Sequence, residues 1–173
     1  MPNEVCLQTR LATEADMQDL LDWRNDPQTR RMSFDGEPAA SSDHEAWFRR
    51  SLSSPYRVIV IGIHGGQKVG IMVRFDREAR IAVVGISLNP AFRGWGLAAR
   101  PLTESEPLIP ASWRNEALKA AIKVANLPSL KAFERAGYRS GGDKAEVAGV
   151  LAYVYWKGLS TWEHSSCARG VRH

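Results

Sequence analysis

Cysteine is scarce in this chain: only Cys6 and Cys167 occur, far apart and without the close spacing that metal ligands require. Neither a disulfide framework nor a metal centre is expected, and two reduced thiols in a cytoplasmic protein are the default. No apolar stretch approaches the roughly 20 residues needed to span a bilayer, and the polar start does not read as a signal peptide. Charge of one sign is not concentrated either. Lys and Arg number 23 against 19 Asp and Glu, a formal net charge of +4. That is too mild for a nucleic-acid footprint, yet compatible with a polyanionic ligand. Two nucleotide signatures are also missing. There is no Gly-Lys-Ser/Thr ending of a triphosphate loop, and no third glycine with a downstream acid near the start of the domain.

What remains is ordinary globular composition, 44% hydrophobic and 24% charged over 173 residues. One domain over residues 1–162 is expected, with 163–173 a disordered tail. The most informative segment is Arg93-Gly94-Trp95-Gly96-Leu97-Ala98, which follows the apolar run Ile81–Leu88 and the break Asn89-Pro90. A strand that hands over to a glycine-rich turn opening a helix presents successive N–H groups to an anion. By itself such a turn is equally a plain connection. Downstream, Ile122 and Val124 alternate as in a strand, and Asn126 begins a turn. Pro128 suits a first helical turn. Leu130, Phe133 and Ala136 then share one helical face, and Gly137 can take the left-handed stop.

The rest of the chain reads as alternating elements. Val5–Arg10 is a first strand, and Thr13-Glu14-Ala15-Asp16 opens a helix that ends near Asn25-Asp26-Pro27. A second helix is expected over Ser42–Leu52, capped by Ser42, with Trp47 and Leu52 facing inward. Arg57–Ile63 is a buried strand, Gly65-Gly66 a hairpin turn, and Val69–Phe75 the partner strand. Asp76–Ala79 connects to Ile81–Leu88. After Ala98 the expected helix is interrupted by Pro101, Pro107 and Pro110, leaving it either short and broken or a loop. Leu118–Val124 and Val150–Trp156 complete the strands.

The two motifs, in this order and at this separation, resemble the two signatures of the GNAT N-acetyltransferases, and the element order over residues 5–157 is similar to theirs. The resemblance implies an α/β fold, a central mixed sheet with helices on both faces, and direct acetyl transfer from acetyl-CoA to an amine without a covalent enzyme intermediate or a metal. It implies that Ile86, Ser87 and Leu88 pair with the pantetheine arm as an extra strand, with a bulge near Gly85 opening the slot. The N–H groups of Arg93, Gly94, Trp95, Gly96, Leu97 and Ala98 would hold the pyrophosphate. Asn126 would bond pantetheine, with Ser129 and Phe133 beside the thiol. A backbone N–H near Leu88 would stabilise the developing oxyanion.

Trp23-Arg24-Asn25-Asp26-Pro27-Gln28-Thr29-Arg30, followed by His44-Glu45-Ala46-Trp47-Phe48, looks like the branch holding amino-sugar acetyltransferases. Ribosomal-protein N-terminal acetyltransferases share a looser version. The expected acceptor is therefore a primary amine on a small molecule, such as a nucleotide-linked amino sugar; a protein N-terminus and a CoA-binding protein without turnover are the alternatives. Phe133 stands where many relatives place a tyrosine that protonates the leaving thiolate. By residue type, Ser87, Tyr138, His44, Asp76 and Glu78 are candidates for proton transfer, each with a structural reading beside the chemical one. Arg24, Asn25, Met32 and Phe34 are candidates for the acceptor pocket or for local packing. Arg30-Arg31 and Arg49-Arg50 read as a solvated face or as phosphate contacts to a nucleotide-linked acceptor. A homodimer is expected only by analogy.

Overall fold

The computed structural model describes residues 7–78, 80–113 and 116–159. Seven strands form one sheet in the order β1-β2-β3-β4-β5-β7-β6. They are β1 Gln8–Leu11, β2 Arg57–His64, β3 Gln67–Glu78, β4 Ile81–Ser87, β5 Ala117–Lys123, β6 Arg139–Val147 and β7 Val150–Gly158. All neighbours are antiparallel except β4 and β5, which run parallel. The helices are α1 Met17–Asn25, α2 Pro27–Met32, α3 Ser41–Leu52, α4 Ala99–Glu104 and α5 Leu127–Arg135. The mixed sheet with helices on both faces is the expected architecture.

The period-2 alternation of β2 builds both layers. Ile59 and Ile61 point to Leu20, Trp23 and Phe48 of α1 and α3. Val58 and Val60 point to the opposite core, with Leu102 of α4, Leu130 and Phe133 of α5, and Leu118, Ala120 and Ile122 of β5. Each such apolar side chain contributes about 1.5–3 kcal/mol on burial. Asp16 fixes the start of α1: its carboxylate accepts from the Thr13 backbone N–H at 2.9 Å, completing the expected capping box.

Several expectations are corrected. The first strand is described only from Gln8, and Val5 and Cys6 lie outside the described residues, as does the tail at 163–173. Ala40, not Ser42, is the N-cap of α3. That helix turns His44, Phe48 and Ser51 inward, leaving Trp47 half-buried and Leu52 exposed. The partners on α1 and β2 select this face, shifted by one residue from the expected one. Asp76 and Glu78 continue β3 instead of forming a connection, because Asp76 is paired across the ladder with Arg57. Two elements are additional. Helix α2 forms because Asp26 accepts from Thr29 N–H at 2.9 Å with Pro27 as first helical residue. Strand β6 includes Ser140-Gly141-Gly142-Asp143, which has loop composition; a register shift between Ser140 and Lys144 accommodates it. Ala148 and Gly149, both at positive φ, close its hairpin with β7.

Candidate active site

The sheet carries a wedge at its centre. Strands β4 and β5 pair only from Ile81 to Val83 against Ala117 to Lys119. Beyond that β4 stays on β3 through Ser87, while β5 stays on β7 through Lys123. The β5-facing edge of Val84, Gly85, Ile86 and Ser87 therefore has no strand partner, a template on which an extended amide chain can add hydrogen bonds. The expected bulge at Gly85 is absent. Pairing with β3 is continuous from Met72–Ser87 to Glu78–Ile81, so the slot opens by divergence of two strands and not by a register shift. Ser87 and Leu88 are half-buried at its outer end, and Ile86 and Leu88 pack on the main core.

The glycine-rich bend lies directly beyond that edge. Asn89 pins its start: Nδ2 donates to Lys68 O at 3.2 Å, and Oδ1 accepts from Ala91 N–H at 3.0 Å. This approach requires Gly70, whose φ is +73°, since a β-carbon there would sit 2.1 Å from Asn89 Cβ and 2.4 Å from its nitrogen. Phe92 and Leu97 pack with Leu7, Val69 and Leu88 beneath the bend. Within the bend, Arg93 N–H donates to Pro90 O and Trp95 N–H to Phe92 O. The N–H groups of Gly94, Gly96, Leu97 and Ala98 find no acceptor among the described residues. Gly94 and Gly96 hold φ of +80° and +69° with open space around them. Four clustered donors at the start of α4 fit a diphosphate. Trp95 stands edge-on to Phe92 at 5.4 Å and is 62% exposed, an apolar surface beside these donors.

The prolines shorten the following helix without abolishing it. Pro101 is the third residue of α4, where its missing N–H leaves no intrahelical bond unmade. Pro107 and Pro110 divide the remainder into single 3₁₀ turns at Glu106–Leu108 and Ala111–Trp113.

The Arg93 side chain turns to α2, and its backbone N–H, expected at the pyrophosphate, bonds to Pro90 O. Its Nη2 pairs with Asp26 and donates to Thr29 Oγ1 at 2.8 Å, and this holds Asp26 below the usual carboxylate range. The residue docks α2 onto the bend. The other end of α2 is tied to β5, where Lys123 Nζ donates to Arg31 O at 3.0 Å. Helix α2 therefore reaches from the bend beyond β4 to the end of β5. Beneath it a 480 Å³ cavity is lined by Pro27, Arg30, Arg31, Gly36 and Lys123. Sequence reasoning missed Lys123, which alternation alone marks only as an outward residue of a strand.

The second motif divides into two parts. Asn126 is the N-cap of α5, accepting from Ser129 N–H, and both residues remain partly exposed. Phe133 lies on the inward face of α5. It is buried in the main core, edge-on to Tyr138 at 4.9 Å. Tyr138 is corrected as a catalytic candidate, because its side chain is fully buried and its hydroxyl has no hydrogen-bond partner among the described residues. Burial, with the negative Glu106 nearby, pushes the phenol far above its ordinary value of 10.0.

The acceptor-side candidates also separate. Arg24 donates to Asp35 O at 2.9 Å, and Asn25 exchanges two hydrogen bonds with Ala39. Both pin the 33–40 loop to α1. Phe34 lies under Lys123 at 5.9 Å, beside the cavity, and Met32 ends α2, half-buried. His44 is buried between helices, its Nε2 donating to Met17 O at 3.2 Å and its ring stacked on Phe48. Burial lowers its pKa from 6.5, so it is a neutral packing residue. Asp76 is engaged by Arg57, and Glu78 lies in β3 away from the wedge mouth.

No curated protein sequence matches the chain. Solved structures do. The aminoglycoside acetyltransferase AAC(6')-Ib in complex with coenzyme A superposes with a TM-score of 0.73 at 15% identity, over 88% of this chain and 95% of that one. A putative phosphinothricin N-acetyltransferase gives 0.71 at 27% identity, over 90% and 100%. The spermidine N-acetyltransferase of Vibrio cholerae, in complex with CoA and spermine, gives 0.71 at 16% identity, over 87% and 92%. The acetyltransferase (GNAT) domain family matches residues 7–139, spanning the wedge, the bend and α5. With a split sheet whose open edge leads to a ring of free N–H groups, and with that family match over most of its length, the chain belongs to the GNAT family of acetyl-CoA-dependent N-acetyltransferases.

Proposed function

We propose that the protein acetylates a primary amine of a small molecule, with acetyl-CoA held across the wedge. The observation that carries this reading is the alignment of two unsatisfied backbone arrays: the partnerless edge of Val84–Ser87 and the free N–H groups of Gly94, Gly96, Leu97 and Ala98. The diphosphate would rest on the bend, and the pantetheine amides would pair along β4, with Asn126 and Ser129 on the facing side. The thioester would then lie inside the slot between β4 and β5, inward of the mouth bridged by α2. A backbone N–H near Leu88 would meet the developing oxyanion, and the acceptor must arrive as the neutral amine. With Phe133 and Tyr138 enclosed in the core, protonation of the departing thiolate falls to water or to Ser87 on the open edge.

A small acceptor is favoured over a protein N-terminus. The solved relatives carry names for aminoglycoside, phosphinothricin and spermidine acetylation, and the α2 cavity has the size of a small-molecule site. A nucleotide-linked amino sugar is one acceptor of this kind. The test follows CoA binding by calorimetry and thiol release from acetyl-CoA across a panel of primary amines and N-terminal peptides. Micromolar CoA binding with release on small amines is expected. Binding without release on any amine would reduce the protein to a CoA-binding module, and no binding would overturn the reading.

A further inference from the structure

The cavity under α2 has an uneven charge. Arg30, Arg31 and Lys123 line it, and none of the three has a carboxylate within ion-pair distance among the described residues. The acids nearest in sequence are engaged elsewhere: Asp26 by Arg93 and Asp35 by Arg24. Arg30 is held in place, its Nε donating to Gly36 O at 2.8 Å, and Lys123 by its bond to Arg31 O at 3.0 Å. Two cations are thus positioned by the backbone, and the third, Arg31, is exposed at the rim. The cavity also opens where β5 ends and α2 crosses the wedge, at the mouth of the slot that the cofactor would occupy.

Resting on the transferase reading above, we infer that this cavity is an anion subsite and that the acceptor is an amine bearing its own phosphate, phosphonate or carboxylate group. Uncompensated like charges confined around one cavity attract an anion and repel a cation. A guanidinium fork and an ammonium together suit a tetrahedral or planar oxyanion. The acceptor's anion would sit among Arg30, Arg31 and Lys123, and its amine would point along β5 toward the slot. Polycationic amines of the aminoglycoside or polyamine kind fit this charge poorly. The chain would then share the fold of acetyltransferases for such amines while selecting the opposite charge.

The experiment compares phosphoethanolamine with ethanolamine, a pair differing by the phosphate alone, with spermidine and kanamycin as polycations. The expected kcat/KM ratio of phosphoethanolamine to ethanolamine is at least tenfold, shrinking as salt is raised. Arg31→Glu, whose side chain makes no hydrogen bond among the described residues, should bring that ratio close to one while leaving the KM for acetyl-CoA unchanged, and Lys123→Glu should lower the ratio as well. Arg31→Lys should keep most of the preference. Equal rates on the pair, or faster acetylation of spermidine or kanamycin, would overturn the inference and leave the transferase reading intact. Should no amine react although CoA binds, the transferase reading fails, and calorimetry on the CoA-loaded protein decides the subsite. Tenfold tighter binding of phosphoethanolamine than ethanolamine supports it, and equal binding overturns it.

Discussion

Gly70 offers a sharp test of how the sheet supports the cofactor bend. Replacement by alanine imposes two separable penalties. The first is conformational: φ is +73°, and a β-carbon in the left-handed region costs about 1–2 kcal/mol. The second is steric. The new methyl would lie 2.1 Å from Asn89 Cβ and 2.4 Å from Asn89 N, and backbone cannot swing aside as a flexible side chain would. Forced overpacking of this sort costs about 1–3 kcal/mol, so Gly70→Ala should lose about 2–5 kcal/mol in total. Gly66→Ala is the control, with a φ of +78° and nothing within 4 Å of a built β-carbon. It should lose only the conformational part, about 1–2 kcal/mol. Because the clash displaces Asn89, and Asn89 caps the turn that begins the bend, Gly70→Ala should also weaken CoA binding at least about tenfold, or ~1.4 kcal/mol. Gly66→Ala should leave CoA affinity unchanged. Urea unfolding and calorimetry on the two variants read both quantities. Equal stability losses with unchanged CoA affinity in both would refute the claim that Gly70 positions the bend.

Two further outcomes follow from buried polar groups. Tyr138→Phe removes a hydroxyl that is buried without a partner, so stability should hold or rise by up to about 1 kcal/mol, and kcat should stay within twofold; a large fall in kcat at unchanged stability would return Tyr138 to the chemistry. Asp16 is fully buried beside Arg10 and Lys68, and although burial opposes its charge, hydrogen bonds from these cations and Thr13 hold it well below its ordinary 3.8. A depressed carboxylate contributes stability above pH 3.8 and loses it as pH falls toward the folded value. Asp16→Asn should cost about 2–3 kcal/mol near neutrality, less than a fully buried pair because both cations reach solvent. It should also flatten the acid limb of the stability–pH curve, and an unchanged acid limb would refute the assignment.

Much of the fold was legible because burial imposes periodicity on each element separately. The β-branched run of β2, the Gly65-Gly66 turn and the amphipathic face of α5 are local patterns, and each stands where expected. Strand β6 was not legible, since an edge strand facing solvent needs no apolar alternation and Ser140-Gly141-Gly142-Asp143 has a loop's composition. The face of α3 was misread by one residue because the partners on α1 and β2 choose between adjacent apolar stripes. Asn126 kept its role as a cap, a function of its immediate neighbours. Arg93, His44 and Tyr138 took roles set by residues distant in the chain.

Sequence alone determined the order of elements apart from α2 and β6, the glycines that free the bend and the asparagine that opens α5, because each depends on bonds and sterics within a few residues. Tertiary structure alone decided where strands β4 and β5 part, which cations find carboxylates and which are left around a cavity. Those outcomes depend on pairings between distant segments, and a one-dimensional pattern carries no distance between them.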